Sequence, residues 1–169
     1  ITPQQTGGAQ ERNLRAGTEN LPAIAGLSVA VQSAQDKLSQ ESQRLRKMQK
    51  ALEEIIKDKI ENSVIHGHPE QRIPGLSHIG FVGVDGESLV MNLDMRGIAV
   101  SSGSACSSGS VNPSHVLLAM GYPKDAAKSA IRISLGRSNT QEQIPVIAEA
   151  IAEEVERVRS ARKQTGTLV

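Results

Sequence analysis

A long run of apolar residues at three- and four-residue steps is the feature of this 169-residue chain that most restricts its fold. This spacing places the apolar side chains on one face of a helix. The run comprises Leu27, Val31, Ala34, Leu38, Leu45, Met48, Leu52, Ile55 and Ile56. Asn20 and Pro22, just before it, are typical of a helix start. Because a run of about 40 residues exceeds the usual length of a globular helix, we expect a break near residues 39–42.

Shorter elements are predicted to follow the long helix. Strands are expected where β-branched and apolar residues cluster between turns, at residues 64–66, 77–82, 98–101 and 130–135. Helices are expected where apolar residues recur at helical spacing, at residues 87–95, 113–120 and 140–159. This order predicts an α+β (α/β) domain in which helices pack on a three-stranded, mainly antiparallel sheet.

Composition argues against several classes of function. Phe81 and Tyr122 are the only Phe, Tyr or Trp residues, so base stacking on single-stranded nucleic acid has little to use. A formal net charge of +1 gives no strong attraction to nucleic acid or to a membrane surface. No run of apolar residues is long enough to predict a membrane span. One cysteine excludes an intrachain disulfide and fits a reducing compartment, which we expect to be the cytoplasm.

The only cysteine lies in a loop of small residues, Ser101-Ser102-Gly103-Ser104-Ala105-Cys106-Ser107-Ser108-Gly109-Ser110. Such a loop is hard to order and has little apolar bulk to bury a sulfur, so it predicts a thiol on a mobile tether. As a thiolate, Cys106 would be a nucleophile that could carry a group from one place to another. An incidental free cysteine on a surface loop is an equal alternative at this point.

The segment of residues 7–20 is rich in groups that bind anions. Arg12 and Arg15 offer guanidinium groups, which form forked hydrogen bonds with a carboxylate or a phosphate. Thr18 follows Gly17, so its hydroxyl could approach a phosphate closely. A solvated polar loop is the alternative interpretation.

Arg132 lies in the strand predicted at residues 130–135, on the opposite face from Ile131 and Ile133. A guanidinium near the end of a sheet is well placed to hold a carboxylate with two hydrogen bonds. The alternative is a structural salt bridge to a glutamate.

The four histidines, His66, His68, His78 and His115, do not combine with one cysteine into a zinc-binding spacing. The His66-Gly67-His68 segment is expected to form a turn, and we expect no intrinsic metal site.

These segments together resemble the C-terminal part of a group I, NifS/IscS-like cysteine desulfurase. The resemblance covers nearly all of residues 7–160, and the matching segments occur in the family's order. They are Gly7-Gly8 with Gln10-Glu11-Arg12, Arg15 and Gly17-Thr18; Asp85-Gly86-Glu87-Ser88-Leu89; Val100-Ser101-Ser102-Gly103-Ser104-Ala105-Cys106; Pro113-Ser114-His115-Val116-Leu117; and Ile131-Arg132 with Ser134-Leu135-Gly136-Arg137.

The resemblance implies a pyridoxal 5'-phosphate enzyme of fold type I, acting as a homodimer on L-cysteine. Cys106 would accept the substrate sulfur as a persulfide and deliver it to an iron–sulfur scaffold or another acceptor, and it could ligate an iron–sulfur cluster transiently. Arg132 would bind the substrate carboxylate. Thr18 would bind the cofactor phosphate of the other subunit's site, with Arg12 and Arg15 as further active-site candidates.

The resemblance also implies a domain division and a missing group. Residues 1–20 would end the large cofactor-binding domain, residues 21–162 would form the small domain with its cysteine loop at about 101–112, and 163–169 would be a frayed tail.

The family's Schiff-base lysine belongs upstream of Gly7, and the chain begins without Met. Lys124 and Lys128 are expected in a polar connection. We therefore expect a fragment that is inactive alone.

Two alternatives remain open. A non-catalytic sulfur-carrier or docking module would use Cys106 without turning over cysteine. A selenocysteine lyase or another C–S lyase would use Arg132 and Thr18 equally well.

Overall fold

The computed structural model describes residues 1–102 and 113–165, so the predicted nucleophile Cys106 lies outside the described residues. Contacts divide the chain into two compact units, Ile1–Ser39 and Gln40–Val169. The first unit contains a 3-10 turn at Gln10–Asn13 and the first part of helix α1 (Leu21–Lys59). The second contains the rest of α1 and every strand that the structure describes.

Helix α1 begins where the sequence predicts. The Asn20 side chain accepts a hydrogen bond from the Ala23 amide at 3.1 Å, so it satisfies one of the free N–H groups of the first turn. The predicted break at residues 39–42 is wrong, because α1 is continuous from Leu21 to Lys59. Residues 39–42 contain no glycine or proline that would end a helix. Just after them, Arg44 pairs with Glu41 at 2.9 Å and donates to the Asn139 carbonyl at 2.7 Å, so this part of α1 is held by contacts with a distant segment.

The strands form one antiparallel sheet. Its strands are β1 (Ser63–Ile65), β2 (Leu76–Phe81), β3 (Ser101–Ser102) and β4 (Ala130–Ser134), in the spatial order β1-β2-β4-β3. The predicted antiparallel character is confirmed. The predicted number of three strands is wrong, because the described residues contain four. The strand expected at residues 98–101 is shorter and lies later in the chain, because only Ser101 and Ser102 pair with β4.

Four further helices complete the described elements: α2 (Gly86–Met95), α3 (His115–Ala119), α4 (Lys124–Lys128) and α5 (Gln143–Thr165). Helix α4 occupies the segment of Lys124 and Lys128, for which the sequence predicts a polar connection. It is a five-residue helix that buries only Ala127, so it carries no apolar period that a sequence pattern could reveal. Within the described residues, no helix is both long and apolar enough to cross a membrane.

The core lies on one face of the sheet. Ile79, Phe81 and Ile131 are fully buried and belong to one apolar cluster with residues of α1, α2 and α5. Members of that cluster from the helices are Met48, Leu52, Ile56, Leu89, Leu93, Ile144, Ala148, Ile151 and Val155. On the other face, Ala130 joins a smaller cluster with Leu117 of α3 and Ala127 of α4. The two faces of the same strands therefore have different neighbours.

A buried charged network ties α1 to the chain around β2. Glu53 is only 7% exposed, and its carboxylate accepts two hydrogen bonds of 2.8 Å from Arg72 and one of 2.6 Å from Ser77. Burial raises the pKa of this carboxyl, but the bonds from Arg72 and Ser77 outweigh it, so the pKa lies below its ordinary value of 4.5. Glu53 is therefore charged at neutral pH and depends on Arg72 as its counter-ion.

We expect Arg72→Ala to lower the free energy of unfolding by about 3 kcal/mol, because it leaves a buried carboxylate without its cation. Urea denaturation of the 169-residue chain measures this change. Lys50→Ala is the matched control, since Lys50 pairs with Glu54 at 3.9 Å in an exposed position; it should change the stability by less than about 0.5 kcal/mol. Equal effects of the two substitutions would contradict the assignment.

Urea denaturation at several pH values tests the direction in which folding shifts the pKa of Glu53. Because the pKa of Glu53 is lower in the folded than in the unfolded chain, its stabilisation is present above pH 4.5 and is lost as the pH falls through the folded pKa. The difference in unfolding free energy between the parent and Glu53→Gln should therefore shrink as the solution is acidified. A difference that grows under acid conditions would show that the pKa is raised instead.

Candidate active site

Arg132 is the exposed cation on the face of the sheet opposite the core. Its neighbours along β4, Ile131 and Ile133, are buried, and alternation turns Arg132 to the other side. In the sheet register it pairs with His78 of β2 and with Ser101 of β3. Among the described residues its side chain forms no hydrogen bond and no ion pair. The salt-bridge alternative therefore has no support in this part of the chain, and the guanidinium is available for a ligand.

The strand beside Arg132 leads directly into the cysteine loop. Strand β3 ends at Ser102, and Cys106 follows within the segment that lies outside the described residues. The role of Cys106 as a nucleophile thus stays a prediction. What the fold supplies is the position of the loop's first residue, Ser101, opposite Arg132 on an adjacent strand.

Two histidines lie in contact on the same face, next to Arg132. The Nδ1 atoms of His66 and His78 are 2.8 Å apart, and the backbone N–H of His66 donates to the His78 carbonyl at 2.8 Å. Burial, followed by the neighbouring His66 and Arg132, lowers the pKa of His78 from 6.5 to about 4. Burial also lowers the pKa of His66. Both rings are therefore neutral at physiological pH.

Gly80 makes room for this pair. A Cβ atom at Gly80 would lie 2.8 Å from Cε1 and 3.2 Å from Nε2 of His66. The His66 ring is 5% exposed and has little freedom to move away, because it also packs edge-on against Tyr122 with ring centroids 4.5 Å apart. Any side chain at Gly80 would therefore displace His66 from His78.

The other predicted site residues lie in a loop of the first unit. Arg15 donates to the carbonyls of Gly17 at 2.9 Å and Thr18 at 3.4 Å, and the Gln10 side chain accepts from the Gly17 amide at 3.1 Å. These bonds hold the backbone of the Gly17-Thr18 pair. The Arg12 side chain has no partner among the described residues, and both Arg12 and Thr18 are exposed.

The same loop contains consecutive non-glycine residues in a left-handed backbone conformation. Glu11, Arg12 and Asn13 have φ values of 48°, 57° and 64°. Such a conformation costs about 1 kcal/mol or more per residue for L-amino acids and persists where surrounding contacts enforce it. Strain of this kind concentrates at ligand-binding segments, which agrees with the anion-binding interpretation of this loop.

The structure therefore gathers the predicted residues into two groups. Arg12, Arg15 and Thr18 share one loop of the first unit, while Arg132 lies in the second unit with Ser101 beside it. The His66–His78 pair is the feature that sequence reasoning missed, since the pattern around His66 predicts the end of a strand and a turn but no contact with His78. That turn is confirmed at His68, whose Nδ1 accepts from the amides of Glu70 and Gln71. The described residues contain no group of three or more potential metal ligands.

Comparisons with known proteins agree with one another. The sequence profile of the aminotransferase class-V family matches residues 2–147. The cysteine desulfurase IscS 1 of Archaeoglobus fulgidus is 40% identical over 161 residues, which are 95% of this chain and 42% of that protein. The cysteine desulfurase of Mus musculus is 40% identical over 155 residues, which are 92% of this chain and 33% of that protein.

A solved structure shows the same fold. The NifS-like protein from Rickettsia africae superposes with a TM-score of 0.77 at 36% identity, over 92% of this chain and 40% of that chain. This confirms the predicted fold, an α+β part of a NifS-like fold-type I protein. The chain spans about two fifths of the length of these two relatives from Archaeoglobus and Rickettsia.

We expect Gly80→Ala to lower the free energy of unfolding by about 1–3 kcal/mol, because the added methyl group collides with a ring that cannot move freely. Gly136→Ala is the matched control, since a Cβ there meets nothing within 4 Å, and it should change the stability by less than about 0.5 kcal/mol. Urea denaturation measures both. If Gly80→Ala is as stable as the parent, the packing of His66 against Gly80 is looser than described.

Proposed function

Because this chain belongs to the aminotransferase class-V family, we propose that it is the C-terminal part of a cysteine desulfurase that depends on pyridoxal phosphate. One observation carries the proposal. Arg132 is an exposed cation without a partner in the described chain, and it pairs with the strand that enters the loop of the only cysteine. The names of the relatives favour this activity over a sulfur carrier or a selenocysteine lyase.

The proposed role of Arg132 is to bind the carboxylate of L-cysteine. A guanidinium presents parallel N–H groups that match the two oxygens of a carboxylate. The side chain is not held by an ion pair within the described residues, so substrate binding would not have to break one. Its neighbours His78 and Ser101 carry no negative charge that would compete.

The loop of the first unit fits a phosphate group. The Thr18 hydroxyl is exposed, Arg12 adds a guanidinium, and Arg15 with Gln10 holds the backbone beside Thr18. We propose that Thr18 binds the phosphate of the cofactor, as a contribution to the site of the partner subunit in a homodimer. When bound, pyridoxal phosphate would supply an electron sink that weakens the C–S bond of the substrate.

The proposed role of Cys106 is to accept the sulfur. As a thiolate its Sγ would attack the substrate sulfur, so that an S–S bond forms, the Cβ–S bond breaks and alanine leaves. The persulfide on Cys106 would then pass to an iron–sulfur scaffold or to another acceptor in the cytoplasm. A loop of serine, glycine and alanine suits both steps, because small residues let the thiol reach two places.

The domain division expected from the sequence belongs to the same proposal. Residues 1–20 would be the end of the large domain, residues 21–162 the small domain, and residues 163–169 a frayed tail. The lysine that binds the cofactor covalently would not be among the lysines of this chain. Activity would therefore require the longer protein to which such a piece belongs.

Two substitutions in that longer protein test the proposal. Cys106→Ser should abolish persulfide formation and sulfide release from L-cysteine, since a hydroxyl cannot accept the sulfur. Arg132→Lys should raise the KM for L-cysteine by about tenfold or more, because lysine loses the two-pronged contact. Arg46→Lys, at an exposed position on α1, is the control and should leave both constants unchanged. Full sulfide release by Cys106→Ser would exclude Cys106 as the acceptor.

The 169-residue chain by itself should not form a persulfide. We expect no mass increase of one sulfur atom on Cys106 after incubation with L-cysteine and pyridoxal phosphate, because the proposed lysine is missing. Intact-mass spectrometry measures this directly. A chemically prepared persulfide on the same chain serves as the positive control for detection. A persulfide formed by the chain alone would contradict the proposed division of the active site.

A further inference from the structure

A continuous row of polar and aromatic groups crosses the sheet on its outer face. Tyr122 packs against His66 with centroids 4.5 Å apart, His66 contacts His78 with centroids 5.0 Å apart, and His78 is the register partner of Arg132. Each member contacts or faces the next one, and the row ends at an exposed guanidinium. The order of the row places the buried His66 and the half-buried His78 where they can act on the exposed Arg132.

The contact between the two rings restricts their protons. A hydrogen bond between two Nδ1 atoms at 2.8 Å needs one proton, because one nitrogen must donate and the other must accept. If both rings are neutral, one carries its proton on Nδ1 and the other carries its proton on Nε2. His66 and His78 therefore have opposite tautomers, and each fixes that of the other.

The charge of Arg132 favours one of the two tautomer assignments. Strand β1 lies on one side of β2 and β4 on the other. Since Nδ1 of His78 is occupied on the β1 side, Nε2 is the nitrogen left for the β4 side, where Arg132 lies. A cation favours a lone pair over an N–H group. His78 then donates from Nδ1 to His66 and keeps Nε2 unprotonated.

The surroundings keep this arrangement neutral. The titratable and charged groups that face the pair within the described chain are Arg132 from β4 and Tyr122 from the turn before α4, and neither supplies a negative charge. Burial and Arg132 both disfavour a proton on His78, whose pKa lies at about 4. A carboxylate ligand of Arg132 would thus bind a single positive charge, and His78 beside that charge would be neutral.

We propose that the His66–His78 pair positions Arg132: His66 fixes the tautomer of His78, and the unprotonated Nε2 of His78, on the adjacent strand, attracts the guanidinium and so orients it toward a carboxylate. This influence is electrostatic, because Arg132 forms no hydrogen bond with His78 in the described chain. The carboxylate rests on the proposed function, whereas the orientation of the guanidinium rests on this face of the sheet alone. Gly80 and Tyr122 contribute by holding His66 in place. His66 and His78 are positioning residues, because they act through Arg132.

Nuclear magnetic resonance of the 169-residue chain tests the orientation without any activity. In the parent, ¹⁵N shifts should show His78 protonated on Nδ1 and unprotonated on Nε2, and still neutral at about pH 5.5. Relaxation of the Arg132 Nε nucleus should show an ordered side chain. His66→Phe keeps a ring beside Tyr122 but removes Nδ1, so His78 should become a mixture of tautomers and Arg132 should become mobile.

Two further variants separate positioning from packing. His66→Asn offers an amide oxygen near the place of Nδ1 and should restore the order of Arg132. His68→Asn is the matched control, because His68 lies in the following turn, where its Nδ1 accepts from the amides of Glu70 and Gln71. The proposal is wrong if Nε2 of His78 carries the proton in the parent, or if Arg132 is equally mobile in the parent and in His66→Phe.

Kinetics of the longer protein tests the consequence for the ligand. His66→Phe should raise the KM for L-cysteine by about tenfold, the effect of losing the hydrogen bond between His66 and His78, with kcat changed less than about twofold. His66→Asn should recover most of the KM. An unchanged KM in His66→Phe would overturn the link to the carboxylate. If the longer protein does not turn over cysteine at all, the proposed function fails, and the resonance experiment still decides whether the pair orients Arg132.

Discussion

The alternation of side chains along β2 and β4 is the constraint on which the rest of the second unit depends. Ile79, Phe81, Ile131 and Ile133 face the helices and are buried, and burial of each such side chain contributes about 1.5–3 kcal/mol. A slip of one residue in the register would expose all of them. The buried side chains therefore fix the pairing of β2 with β4, whatever residues lie on the outer face of the sheet.

The pairing of β2 with β4 also decides which residues lie side by side on the outer face of the sheet. Once Ile79 and Ile131 point inward, His78, Gly80 and Arg132 must point outward on adjacent strands. His66 reaches the same face because its backbone continues the pairing of β1 beyond Ile65. The core thus places a guanidinium beside an imidazole pair. In the proposed function this is a carboxylate-binding surface, and its neutral histidines leave Arg132 as the only positive charge of the described row.

The backbone of the loop in the first unit is held by hydrogen bonds. Its exposed groups cannot be held by a core, so hydrogen bonds from Arg15 and to Gln10 hold the backbone of Gly17 and Thr18 instead. The left-handed residues before them store backbone strain that these contacts must offset. Arg15 therefore supports Thr18 from within the loop, which leaves Arg12 as the guanidinium of this loop that has no partner among the described residues.

Sequence alone determined the features that depend on local pattern. The apolar period predicted the long helix and its start at Asn20, the alternation in residues 130–135 turned Arg132 away from the core, and the motifs around Thr18, Cys106 and Arg132 indicated the family. It failed at the break expected in residues 39–42, since α1 is continuous there and Arg44, just after this segment, contacts a segment distant in the chain. It placed β3 at residues 98–101 instead of Ser101–Ser102, and it missed α4, which is too short to carry a period.

Only the tertiary structure decided which outward groups meet. The His66–His78 contact joins residues on two strands, and it needs the open space above Gly80 on the same face. No local preference encodes such a contact, because it arises from strand register and from the absence of one side chain. The sequence by itself determined which residues could bind an anion. The packing of the sheet decided that Arg132 is exposed beside a neutral histidine, because the core fixes the register and the register fixes the neighbours.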